Sequence, residues 1–373
     1  MSPPSKKFHL FGFPIAHSSA PALHNHCFES LGTESTYTLW STSKVTKEML
    51  SVIHDEDCGG AAMTMPIKSA IIPFLDKLSP ESQMTNACNT IVKVPKPDGG
   101  IKLVGQNTDI LGVRNALLRA LREQHPSLPI PSDASAAYPK PPSGTSAGLV
   151  IGGGATTRSA AQALTLLGLA PIFLINRDVE EVRGVMDALP HLCAHGGLIH
   201  LRDPADVEAY LVGEGKARIL MAVGCIPSFA PQTQAERMVY TTASAVLTVP
   251  YLVPTTASLS DPAPLPRDAG KDSCSSYKPL QTTMYKVAAA HGWHVIDSIQ
   301  AMIEQGFAQQ RMWLRGVASV AVGSDSSITG EVLEETARQA MRAHLTAVNP
   351  AVAEAVKAEV DRAEGKESAV PKK

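Results

Sequence analysis

The chain has no Cys-x-x-Cys pair: its six cysteines (Cys27, Cys58, Cys88, Cys193, Cys225 and Cys274) are scattered singly along 373 residues. That spacing supports neither a zinc site nor a disulfide framework, so no metal is expected and a reduced, cytoplasmic protein is the default. A surplus of one charge is also missing. The formal net charge is −2 and the pI is ≈ 6.6, which leaves no basic field for nucleic acid. No uninterrupted apolar run of about 18 residues exists, so a membrane span is not expected. The early lysines are not followed by an apolar signal core, because Pro14, His17 and Ser18 interrupt what comes next. There is no internal repeat. A soluble chain with length for two domains remains.

Two composition shifts organise it. Pro126 to Gly144 is rich in Pro, Ser and Ala, and Val253 to Ser276 is a second such stretch; both read as surface insertions. From about Ala363 the residues are charged and poor in apolar groups, the composition of a disordered tail. Between the insertions, Ala147 to Ile151 is a short buried-type strand. It enters the turn Gly152-Gly153-Gly154-Ala155-Thr156, and a helix is expected from near Ser159. Ala170 to Ile175 reads as a second strand, ending at Asn176-Arg177-Asp178. Strand, glycine turn, helix and strand make a Rossmann unit, in which backbone N–H groups approach a pyrophosphate at the helix N-terminus. Arg218 to Val223 and Trp293 to Asp297 are further strands. Leu111 to Arg122, Ala301 to Trp313 and Gly330 to about Ala363 have helical patterns.

The remaining motifs suit small-molecule chemistry. Gly12-Phe13-Pro14-Ile15-Ala16-His17-Ser18 follows a short apolar strand and offers hydroxyl donors suited to a carboxylate. Met63-Thr64-Met65-Pro66-Ile67-Lys68 ends on a lysine just past a proline, and Asn107-Thr108-Asp109 puts a carboxylate at a helix start. A lysine oriented by an aspartate can pass a proton to or from a hydroxyl. Asn86-Ala87-Cys88-Asn89-Thr90 enters a strand, and Gln305 and Gln309 share a helix face at i, i+4. Each of these alone also has an ordinary reading as a cap, a turn or a surface charge.

Taken in order, Gly-x-Pro-Ile-x-His-Ser, Thr-x-Pro-x-Lys, Ala-x-Asn-Thr, Gly-x-Asn-Thr-Asp and Gln-Gly-x-x-Gln resemble the shikimate/quinate dehydrogenase family, from Gly12 to Gln309. The resemblance implies an α/β fold: a split N-terminal substrate-binding domain (1–109 and 298–373) plus a Rossmann-type dinucleotide-binding domain (110–297). It also implies reversible hydride transfer between a ring carbon of quinate or shikimate and a nicotinamide, in quinate catabolism or aromatic amino acid biosynthesis. Lys68 would be the acid/base and Asp109 its partner. Ser18, Thr64, Asn89, Tyr277, Gln305 and Gln309 would bind substrate. Gly152, Gly153, Gly154, Ala155, Thr156, Asn176, Arg177, Asp178 and Val223 would bind NAD or NADP. Arg177 suits a 2′-phosphate and Asp178 a ribose 2′-hydroxyl; NAD is favoured. His17 and His24 lie in the same region and read as structural. The chain departs from the family at Ala20, Ala62 and Ala155, so a rival reading is a weak or inactive relative that senses the same acids. An unrelated short-chain alcohol dehydrogenase is disfavoured, because no Tyr-x-x-x-Lys pair follows the glycine turn. Oligomeric state is not implied.

Overall fold

The computed structural model describes residues 5–124, 126, 146–193, 197–226, 228, 230–249, 272–275 and 282–348. The chain divides into two units, Met1–Thr108 with Gly306–Lys373, and Asp109–Gln305. Expected boundaries at 109/110 and 297/298 differ from this division, the second by one helix half. The reason is local: a Cβ on Gly112 would lie 2.5 Å from Ala301 O, so the stretch before Gly306 packs on the helix that opens the second unit.

The first unit is built on a mixed six-stranded sheet. In chain order its elements are β1 (Lys7–Gly12), α1 (Ala20–Ser30), β2 (Thr36–Ser41), α2 (Lys47–His54), β3 (Cys58–Met63), β4 (Lys77–Leu78), α3 (Pro80–Thr85), β5 (Thr90–Pro95) and β6 (Ile101–Gln106). The strand order is β2-β1-β3-β5-β6-β4. The pairs β1–β2 and β1–β3 are parallel, and β5 runs antiparallel to β3 and β6. Helix α2 starts where the Thr46 side chain accepts from Met49 N, and it buries Met49 and Ile53 against Phe11, Met63 and Ile91 of the sheet.

The second unit is a parallel sheet covered on both faces. Its elements are α4 (Asp109–Gln124), β7 (Ser146–Ile151), α5 (Ala155–Leu166), β8 (Ile172–Ile175), α6 (Val179–Ala188), α7 (Pro190–Cys193), β9 (Leu198–His200), α8 (Pro204–Leu211), β10 (Arg218–Gly224), α9 (Gln234–Thr248), β11 (Asp272–Ser275), α10 (Thr283–Ala290) and β12 (His294–Asp297). Leu149 and Ile151 point into one core with Phe173 and Ile175, while Val150 and Leu174 point into the other. Such period-two alternation inside unbroken apolar runs is what a doubly covered parallel sheet requires. The order β12-β11-β10-β7-β8-β9 is the Rossmann order read from its far edge. The α/β class, with a Rossmann-type domain, therefore holds.

Among the described residues, α11 (Ser298–Arg315), α12 (Val320–Ser324) and α13 (Glu331–Val348) follow. Local expectations need correcting in three places. Helix α5 begins at Ala155 rather than near Ser159, because Gly154 already has extended N-cap geometry and nothing in Ala155 to Arg158 resists helix. Helix α4 begins at Asp109 rather than Leu111. The stretch read as a second insertion contains strand β11, which pairs in parallel with β10 and β12. The rest of that stretch, nearly all of 126–144 and the tail lie outside the described residues.

Candidate functional site

In the first unit, the motif loops leave the same end of the sheet. β1 and β3 are parallel in register, with Phe11 opposite Met63, so the loops after Gly12 and Met63 emerge side by side. They are bonded to each other: Phe13 N donates to Met65 O at 2.9 Å, and Thr64 N to Phe11 O at 2.8 Å. Gly12 is needed at this crossing, with φ +156° and no room for a Cβ against Thr64 and Met65 O. Ser18 sits half-buried at the end of its loop, where its Oγ accepts from Ala20 N at 3.3 Å.

Two more motifs are tied to the same end. Cys88 N donates to Lys68 O at 2.9 Å, and Met63 N to Asn89 O at 2.8 Å. Asn89 is 3 % exposed, and its Oδ1 accepts from Thr108 N at 2.8 Å and from Thr90 Oγ at 2.7 Å. Its Nδ2 donates to Thr108 Oγ at 3.0 Å. Asn89 thereby fixes the backbone of the residue just before Asp109. Thr64 and Lys68 are half-buried. These loops bring Ser18, Thr64, Lys68 and Asn89 to one end of a sheet, the place where α/β proteins bind ligands.

Gln309 is deeper than its expected role requires. It is buried, and its Nε2 donates to Thr90 Oγ at 2.9 Å while its Oε1 contacts His24 Nε2 at 3.2 Å. His24 has no exposed surface, stacks on Tyr37 with centroids 4.3 Å apart, and meets Gln310 Nε2 at 3.0 Å. Burial pushes the His24 imidazole down to about 3, so the folded protein holds it neutral. The sign follows. The unfolded chain takes up this proton below about pH 6.5 and the folded chain does not, so stability is complete above that pH and is lost on acidification. Unfolding free energy should fall by up to about 1.4 kcal/mol per pH unit between about pH 6 and 4 through this group. Urea unfolding across that range checks it: a His24→Gln variant with an undiminished slope would remove His24 as the cause.

In the second unit, the candidate site lies at the switch point between β7 and β10. Gly152 has φ +146°, and a Cβ there would lie 2.7 Å from Thr157 Oγ and 2.9 Å from Cys225 Cβ. A Cβ on Gly153 would lie 2.7 Å from Glu181 Cβ, whereas Gly154 faces open space. Helix α5 follows with no side-chain cap, so its first N–H groups are available for an anion. This cradle fits a dinucleotide pyrophosphate. Val223 is buried in the core through its side chain. Burial pushes the Cys225 thiol up to about 12, which keeps it protonated at neutral pH.

Beyond β8, Asn176 Nδ2 donates to Glu181 Oε2 at 2.6 Å, and Arg177 forms an ion pair with Glu236. Asp178, expected at a ribose, is the N-cap of α6: its Oδ1 accepts from Glu180 N at 2.8 Å and Glu181 N at 3.3 Å. That geometry uses the carboxylate for the helix. Glu181 and Glu236 had no signal in the motifs, because their partners lie on other elements. Gln305 is half-buried on α11, Thr156 is exposed on α5, and Tyr277 lies outside the described residues. No group of three or more metal-ligating side chains occurs among the described residues. No helix among them is long and apolar enough to cross a membrane.

Residues 10–91 match the family model for the shikimate dehydrogenase substrate binding domain. A pentafunctional AROM polypeptide of Eremothecium gossypii is 30% identical over 309 residues, 83% of this chain and 17% of that one. The dehydroquinate dehydratase and shikimate dehydrogenase portion of S. pombe AroM superposes with a TM-score of 0.66 at 26% identity, covering 90% of this chain and 53% of that one. The chain thus spans well under two thirds of these relatives. Shikimate 5-dehydrogenase of Thermus thermophilus, solved with NADP(H) and shikimate, gives 0.56 at 25% identity, covering 90% and 99%. Quinate dehydrogenase of Corynebacterium glutamicum, solved with NAD, shares the fold at 0.58 and 18% identity, covering 88% and 100%.

Proposed function

Because the chain carries the substrate-binding domain of shikimate dehydrogenases at residues 10–91, we propose that it is a cytoplasmic NAD(P)-dependent dehydrogenase interconverting quinate or shikimate with their 3-dehydro acids. The observation that carries this reading is the meeting of the Ser18, Thr64–Lys68 and Asn89 loops at one end of the first sheet, bonded to one another. Ser18 would hold the substrate carboxylate, and Thr64, Asn89, Gln305 and Tyr277 its other hydroxyls. Gln309, buried behind Asn89 and Thr90, would act by holding those two groups. Lys68 would take the hydroxyl proton during oxidation and return it during reduction, with Asp109 orienting the ammonium. The pairing of Lys68 with Asp109 rests on the order of the motifs.

A bound nicotinamide dinucleotide would supply the hydride acceptor. Gly152, Gly153, Gly154, Ala155 and Thr156 would take its pyrophosphate, and Asn176 with Arg177 would lie towards its adenosine. NAD is favoured over NADP, since Arg177, the cation suited to a 2′-phosphate, is paired with Glu236. The test is an absorbance assay at the reduced-nicotinamide band, crossing quinate and shikimate with both dinucleotides. Turnover is expected with at least one pairing. Silence in all four would transfer support to a sensor of the same acids.

Ala20 sets a finer expectation. Its N–H donates to Ser18 Oγ and the residue is 6 % exposed, where the family commonly has a second serine. A hydrogen bond to a charged group contributes roughly 1.5–3 kcal/mol, so shikimate should bind about 10- to 100-fold more weakly than in a two-serine site. Quinate carries an extra hydroxyl on the carboxylate-bearing carbon, and a methyl leaves room for it. Quinate should be used at least as well as shikimate, and Ala20→Ser should move the ratio of kcat/KM several-fold towards shikimate. An unchanged ratio would remove Ala20 as the selector.

A further inference from the structure

Arg177 meets a carboxylate already held in place. Glu236 Oε2 accepts from Gln232 N at 2.7 Å and Thr233 N at 3.0 Å, while Glu236 N donates to Thr233 Oγ at 3.2 Å. This is the capping box that starts α9. The backbone donors of Thr233 and Gln232, ahead of Arg177 itself, hold the Glu236 carboxyl below the usual carboxylate range. Its other oxygen faces Arg177 Nη1.

The other charges around the β8 exit are committed in the same way. Arg183 pairs with Glu180 at 2.7 Å, Asp178 caps α6, and Glu181 leans on Asn176 beside Gly153. We propose that Glu236 is a specificity-determining residue of the dinucleotide site: it withholds Arg177 from a 2′-phosphate and, with Glu181, directs the site to the unphosphorylated dinucleotide. The inference rests on the dinucleotide reading above and names the residue responsible for the preference, which sequence alone assigns to Asp178.

An exposed ion pair is weak when both side chains must be ordered to make it. Here one partner is ordered beforehand by two backbone N–H groups, so little further entropy is lost. A 2′-phosphate would have to displace Glu236 from Arg177 and then sit between two carboxylates. That repulsive element discriminates as effectively as an attractive contact would.

The test uses the full chain and two probes that need no turnover, 5′-AMP and adenosine 2′,5′-bisphosphate, titrated by calorimetry. Wild type should bind AMP at least as tightly as the bisphosphate. Glu236→Gln keeps a side chain able to close the capping box while removing the charge. It should move the affinity ratio about 5- to 10-fold towards the bisphosphate, and adding Arg177→Ala should abolish that gain. Glu181→Gln should move the ratio the same way. If AMP binds and the Glu236→Gln ratio is unchanged, or if wild type prefers the bisphosphate, the inference fails while the dinucleotide reading stands. If neither nucleotide binds, that reading fails and the inference with it.

Discussion

Lys68→Ala should lower turnover by about 10²- to 10⁴-fold, the span usual for a positioned acid/base. KM should change less, since the lysine's work lies in the transition state. Asp109→Asn should also slow the reaction, because the ammonium loses its charge partner. The double variant should be little worse than the poorer single one, as for residues that act as a unit. Steady-state rates with the better substrate check this. Two losses that simply multiply would separate the residues into independent roles, and a Lys68→Ala enzyme of normal kcat would falsify the assignment. A further consequence concerns Asn89. Because it holds Thr108 N at 2.8 Å, Asn89→Ala should reduce kcat as well as substrate affinity.

Glu334→Ala should cost the first unit about 3–5 kcal/mol of stability, the penalty for stranding a buried charge. Arg311 has a side chain 3% exposed and pairs with Glu334, which is 8% exposed. The guanidinium also donates to Gly323 O at 2.7 Å and Thr329 Oγ at 3.2 Å, which ties α11 to α12 and to the turn before α13. Arg338 contacts the other oxygen of Glu334 at 3.9 Å and lies 4.8 Å over the Phe307 ring. Urea unfolding of Glu334→Ala measures the loss. Replacing both partners at once, Arg311→Met with Glu334→Leu, should recover at least half of it, because no unpaired charge then remains on Arg311. A double variant as unstable as Glu334→Ala would show that removing the Arg311 charge offsets nothing, and would move the loss to Arg338, which keeps its charge after losing Glu334, or to packing around the pair.

The Rossmann unit was legible because its signals are local. Leu149-Val150-Ile151 and Ile172 to Ile175 are unbroken apolar runs, and Gly152 to Gly154 marks the turn between strand and helix. Strand β11 was not legible. Asp272-Ser273-Cys274-Ser275 has neither alternation nor an apolar run, and it is a strand because β10 and β12 flank it and offer backbone partners on both sides. The start of α5 is hidden in the sequence for a related reason. The glycine turn hides where extended backbone ends, and only the N-cap geometry of Gly154 decides it.

By itself, the order of short motifs from Gly12 to Gln309 determined the family resemblance, the α/β class and the residues on which chemistry would rest. Those motifs are contiguous, and each carries its turn residues and its polar groups together. Tertiary structure decided what each polar group is spent on. Gln309 shares a helix face with Gln305, yet it is buried against His24, 285 residues away in the chain. Asp178 reads as a ribose ligand but caps its own helix, and Arg177 reads as a phosphate ligand but faces Glu236, 59 residues on. A side chain's partner is set by which backbone elements pack beside it, and that arrangement depends on burying the apolar faces of distant segments together, which no short window of residues encodes.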